Sequence, residues 1–170
     1  SILHGRQLRH GDLSARTWLQ AVVALLFHDI GYVRGLLKDD REGSYMADAS
    51  GRRVNTPESA TDAALTPYHV SRGSLYVLER FITDPIIDAH TVAGYIEMTR
   101  FPIPDDEFHR NVIGFHGLAR AADFIGQLGD PKYLRKIPAL FYEFEETGAN
   151  AKLGYKNPGD MRQGYDEFYW

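Results

Sequence analysis

The sequence predicts an all-α bundle in a single domain. Apolar residues recur at helical spacing along most of the chain, and no segment alternates as a half-buried strand would. The 170 residues, 44% hydrophobic and 25% charged, are enough for one core and a tight fit for two.

The elements follow in order. Asp12 or Ser14 caps a first helix running to about Ile30, with Gly31 as its stop. From Trp18 to Phe27 this helix is apolar nearly all round, which places it at the centre of the bundle. Over 34–66 the periodicity is lost, and Gly, Asp, Ser, Arg and Pro dominate. That stretch reads as a long, mostly surface insertion, of a length more often functional or mobile than inert. Ser71, Leu75, Leu78 and Ile82 predict a helix over 69–82. Asp84-Pro85 reads as the N-cap and first residue of the next helix, which runs to about Arg100 before Phe101-Pro102 stops it. Leu118, Ala121, Ile125 and Leu128 mark another amphipathic helix, ended by Gly129-Asp130-Pro131. Pro138 is expected in the first turn of a further helix through about Glu146. The Gly-rich tail from Thr147 carries Tyr155, Tyr165, Phe168, Tyr169 and Trp170, and is expected to pack on the rest.

Composition excludes several classes of function. The net charge is -4 and the Arg and Lys residues are scattered, which argues against a nucleic-acid polymer as partner. The absence of Cys excludes disulfides, thiolate metal sites and cysteine nucleophiles. The longest apolar run is too short to span a bilayer, so no membrane partner is expected. No signal peptide is visible, and a cytoplasmic location is the default expectation.

Seven histidines are present: His4, His10, His28, His69, His90, His109 and His116. His10 and His109 read as exposed polar residues. His28-Asp29 differs, because it closes an apolar helix, where two polar groups are costly unless satisfied. Neighbouring side chains point about 100° apart on a helix, yet near its end both can reach one ion. They can equally cap the helix and bond to local backbone. Asp123 lies among small and apolar neighbours on another predicted helix, so it faces the interior or a cleft. Two acids from separate helices and one imidazole make an N/O ligand set for a divalent transition ion: Mn²⁺, Fe²⁺, Co²⁺, Ni²⁺ or Zn²⁺.

Ala24-Leu25-Leu26-Phe27-His28-Asp29-Ile30-Gly31 resembles the signature of the HD-domain superfamily, the metal-dependent phosphohydrolases. Ala121-Ala122-Asp123-Phe124-Ile125-Gly126-Gln127 resembles its second signature. The close matches end there, while the helical layout is compatible across nearly the whole chain. The resemblance implies an HD-type bundle with His28, Asp29 and Asp123 as metal ligands. It also implies an upstream His on a preceding antiparallel helix. His4 falls about 10 Å short of that place at 1.5 Å per residue, so the N-terminal helix is expected to be truncated, with His4 as the candidate within the chain. Two-metal branches of the superfamily add a His at the start of the next helix, where His69 stands. They need another near the end of the helix after that, where Thr99-Arg100 stands instead. One metal per chain is therefore expected, with His69 lining the pocket in a catalytic role. His116, two turns before Asp123, is a candidate for supporting that ligand.

The function these readings imply is hydrolysis of a nucleotide or other small phosphate ester by metal-activated water, with Asp29 essential. Arg34 and Arg72 are the candidate cations for phosphate oxygens, since no Gly-x-x-x-x-Gly-Lys loop is present. The insertion next to His28-Asp29 is expected to border the pocket and set substrate choice. The rival reading is a non-catalytic, metal-bearing ligand-sensing or interaction module. A di-iron oxygenase on the same scaffold would require the missing second-metal histidines.

Overall fold

The computed structural model describes residues 14–112 and 114–164. The expectations for His4, His10, Asp12, Tyr165, Phe168, Tyr169 and Trp170 lie outside them. The described residues are mostly helical, with one two-stranded sheet. None of their helices is long and apolar enough to cross a membrane.

Helix α1 (Ala15–Phe27) starts at Ser14, whose hydroxyl accepts from the Thr17 N–H. It ends at Phe27, where the apolar run ends and short of the expected Ile30, with His28 at its cap and a 3₁₀ turn over Ile30–Tyr32. Gly31 is not a left-handed stop. It is there for space, because a Cβ would sit 1.9 Å from the His69 carbonyl oxygen. The chain leaving α1 thus crosses directly over the start of α2 (His69–Phe81), which matches the predicted 69–82 helix.

The 34–66 segment is mostly exposed or half-buried, but it is not without regular structure. Strands β1 (Ser44–Met46) and β2 (Arg53–Asn55) pair antiparallel, with Tyr45 opposite Val54, and a 3₁₀ turn covers Asp62–Leu65. Three-residue strands are too short to display a period of two. Leu37, Tyr45, Ala47, Ala63 and Leu65 are buried. The anchor is Arg72, fully buried on α2. Its Nε donates to the Gly31 carbonyl at 2.7 Å. Its two terminal nitrogens donate to both Asp40 carboxylate oxygens at 3.1 and 3.0 Å, and to the carbonyls of Met46 and Val33 at 2.6 and 2.9 Å.

Helix α3 (Ala89–Glu97) starts at Asp88, not at Asp84-Pro85, and ends before Arg100. The Asp84 carboxylate instead accepts from the N–H groups of Ile86 and Ile87. Gln20, buried on α1, fixes the loop by donating to the Ile86 carbonyl and accepting from the Asp88 N–H. The one-turn α4 (Glu107–Arg110) precedes α5 (Phe115–Leu128), which stops at Gly129 as predicted. Pro138 lies in the second turn of α6 (Tyr133–Thr147), not the first, and Gly148 closes that helix at φ 70°. Two short helices follow, α7 (Ala149–Leu153) and α8 (Pro158–Gln163).

Helices α1, α2, α3 and α5 share one core, which includes Ala24, Val70, Val77, Val92, Ile96 and Ala119. Each fully buried Val or Ile there contributes roughly 1.5–3 kcal/mol. A second cluster, Ile137, Phe141 and Met161, joins α6 to α8. A cavity lies between the two.

Candidate metal centre

The cavity measures about 240 Å³. His28 and Asp29 reach it from the end of α1, His69 from the start of α2 and Asp123 from α5. His28 Nε2 lies 3.1 Å from Asp29 Oδ2 and 3.6 Å from Asp123 Oδ1. His69 Nε2 lies 3.8 Å from Asp29 Oδ1. The sequence-predicted ligands within the described residues therefore come together, with His69 beside them.

Both imidazoles are pinned in the same way. His28 Nδ1 lies 2.8 Å from the Leu25 carbonyl oxygen, and His69 Nδ1 lies 2.6 Å from that of Thr66. A carbonyl can only accept, so each Nδ1 carries a proton and each Nε2 is turned to the carboxylates. This backbone support is the arrangement that fixes the tautomer of metal-binding histidines. Tyr32 stacks on the His69 ring, with centroids 4.4 Å apart.

Charge at the site follows from these contacts. Burial opposes protonation of His28, but the hydrogen bonds to Asp123 and Asp29 outweigh it and raise its pKa to about 10. Burial pushes the Asp29 carboxyl up, and the His28 contact wins and holds it low. Burial lowers the His69 pKa, leaving a neutral ring at neutral pH. Without an ion, the His28 imidazolium pairs with Asp29, and a bound cation would displace that proton.

The donor set fits a divalent ion in chemistry, but its spacing is wider than bound donors require. Ligand bonds of about 2.1 Å place neighbouring donors about 3.0–3.4 Å apart in octahedral or tetrahedral coordination. His28 Nε2 lies within that range of Asp29, at 3.1 Å, and beyond it from Asp123, at 3.6 Å, while His69 Nε2 stands 3.8 Å from Asp29. Among the described residues no group of three or more His, Cys, Asp or Glu side chains is placed so that it could hold a metal ion. The His28–Asp29 hydrogen bond takes up the donors that an ion would share.

Other predicted residues lie elsewhere. Arg72 is the buried anchor of the hairpin and does not line the cavity. Arg34 donates to the carbonyls of Ala60 and Thr61, both at 2.6 Å, and pairs with Asp62 at 3.1 Å. It too is outside the cavity lining, so both phosphate assignments are corrected. Arg34→Ala should leave substrate KM unchanged and cost about 1–3 kcal/mol of stability, measured by steady-state kinetics and urea unfolding. His116 packs edge-on against Tyr95 and Phe108, away from Asp123. His109, expected on the surface, is buried, with Nδ1 2.8 Å from Asp106 Oδ2.

Sequence reasoning missed Tyr32, Thr66, Thr99 and Gln127, which also line the cavity. Gln127 donates to Asp123 Oδ1 at 3.2 Å, and its i+4 spacing from Asp123 was a usable signal. The 34–66 insertion supplies only Thr66 to the lining. The insertion thus borders the cavity at one residue, and most of the far wall comes from α6 and the residues after it.

A family model described as Npun_R2479-like matches residues 1–170. No curated protein and no solved structure matches the chain. Because the family match spans the full sequence, the chain belongs to the Npun_R2479-like family.

Proposed function

We propose that the protein is a metal-dependent phosphohydrolase of the HD type. It acts on a small phosphate ester and uses one divalent transition ion held by His28, Asp29 and Asp123. The observation that carries this reading is the pair of imidazoles pinned through Nδ1, with both Nε2 atoms turned to Asp29. An ion held there supplies Lewis acidity for water activation and phosphoryl polarisation. Asp123 and Asp29 balance the ion's charge, and Gln127 orients Asp123. Phe124, Ile137 and Leu140 shield the site from bulk water.

His69 is the proton-handling residue. Its neutral ring keeps a lone pair on Nε2, which can take a proton at the reacting group and return it. A second metal lacks its ligand here: Thr99 lines the cavity, and its hydroxyl donates to the Ile96 carbonyl. His69→Ala should therefore lower kcat by about 10²–10⁴-fold and metal content far less. Two ions per chain, with His69 coordinated, would overturn the single-metal assignment.

One observation favours a second reading, a metal-bearing sensor: among the described residues no Lys or Arg lines the cavity. Phosphate release from an ester panel separates the two. It should fall on chelation and return with Mn²⁺ or Co²⁺, whereas tight ligand binding without turnover would support the sensor.

A further inference from the structure

The cavity has two unlike halves. The donor end holds two carboxylates and two imidazoles. The remaining wall is built largely from Phe124 on α5, Ile137, Leu140 and Phe144 on α6, and Leu153 and Met161 beyond it, with Tyr133 and Tyr155 adding two hydroxyls. Among the described residues no Lys or Arg joins them. At about 240 Å³ the space is smaller than the roughly 300–1,000 Å³ of sites for drug-sized ligands.

These features bear on the substrate's two ends. A triphosphate carries several charges, and this wall offers no side-chain cation to neutralise them beyond the donor end. Unpaired charge is costly against apolar surface. A base and ribose bring several polar edges, more than the hydroxyls of Tyr133 and Tyr155 on this wall can pair, and leaving edges unpaired costs affinity. A compact apolar body has neither requirement and gains from the wall in proportion to the area it buries.

Resting on the phosphohydrolase reading, we propose that the substrate is a phosphate monoester with an apolar body, alkyl or aryl, and not a nucleotide. Its phosphate lies at the His28, Asp29, His69 and Asp123 end, and its body lies along α6 and Leu153. In the reaction a water oxygen forms a new P–O bond, and the ester P–O bond breaks. The electron pair leaves on the ester oxygen, which takes a proton from the attacking water. The products are inorganic phosphate and an apolar alcohol or phenol.

The test is a chain-length series from ethyl to hexyl phosphate, with AMP and ATP alongside, on metal-loaded full-length protein. KM should fall about fourfold for each added methylene, and hexyl phosphate should exceed AMP in kcat/KM by at least tenfold. Leu153 is 45% exposed, so Leu153→Glu should fold. That variant should flatten the series while metal content stays at the wild-type value. A flat series in the wild type, or preference for AMP, overturns the apolar-body assignment and leaves the phosphohydrolase reading intact. Hexylphosphonate, which cannot be hydrolysed, provides a binding readout by calorimetry. If it binds in a Leu153-dependent way while no ester is cleaved, the phosphohydrolase reading fails and the apolar-body assignment stands. If it does not bind, the apolar-body assignment is overturned.

Discussion

Asp123→Ala should leave the protein folded but without bound metal and without turnover. Asp123 is the proposed ligand that α5 contributes, 3.6 Å from His28 Nε2 at the end of α1. Its side chain is only 13% exposed, and Gln127 holds it in place. Removing it takes away one of the two carboxylates proposed to hold the ion and leaves His28 and Asp29 to pair with each other. Loss of an outer-shell partner already costs about 10–100-fold in metal affinity or activity, so loss of a ligand should cost at least about 100-fold in both. The fold should survive, because alanine is the best helix former and the change removes a carboxylate that is costly to bury. Metal content by elemental analysis, kcat/KM and far-UV circular dichroism measure the three parts. A variant that retains its ion and its turnover would remove Asp123 from the ligand set.

Arg72→Ala should have the largest effect on stability. The guanidinium is fully buried and joins α2 to the turn after α1 and to the hairpin through five hydrogen bonds. Truncating one partner of a buried ion pair costs about 3–5 kcal/mol, a large share of the 5–15 kcal/mol that holds a typical domain together. Arg72→Lys should not restore it, because a single ammonium cannot reproduce a planar fork spanning Asp40 and three carbonyls. The pair also sets an acid limit. Burial would raise the Asp40 pKa, but the Arg72 hydrogen bonds and the N–H groups of Met46 and Leu37 outweigh it and hold it below the usual range. Its stabilisation is therefore complete above the unfolded value of about 3.9 and is lost as pH falls through the lower folded value. Urea unfolding between pH 2 and 7 should show this loss in the wild type. In Asp40→Asn the acid-range component from this residue should be missing, on a lower plateau.

The polar end of the site was readable because His28, Asp29 and Asp123 interrupt apolar helical sequence, where a charged group needs a reason. The arginines were not readable in that way. Arg72 finds Asp40 only through the tertiary fold, and nothing local distinguishes a buried anchor from a phosphate clamp. Asp84 and Asp88 both carry the signature of a cap, and both do accept backbone N–H groups. Which of them starts α3 is decided partly by Gln20, which reaches the intervening loop from another helix. The 34–66 hairpin escaped because its strands are shorter than the window in which alternation shows. The apolar wall was half legible: a helix through about Glu146 was expected, but not the direction in which its apolar side chains point.

Anomalous diffraction from crystals of metal-loaded protein tests the central claim most directly. The expected result is one strong peak per chain, in contact with His28 Nε2, Asp29 and Asp123 at about 2.0–2.2 Å if zinc is used, with His69 Nε2 turned to the same centre. A peak elsewhere, or none between these side chains at saturating metal, would contradict the account.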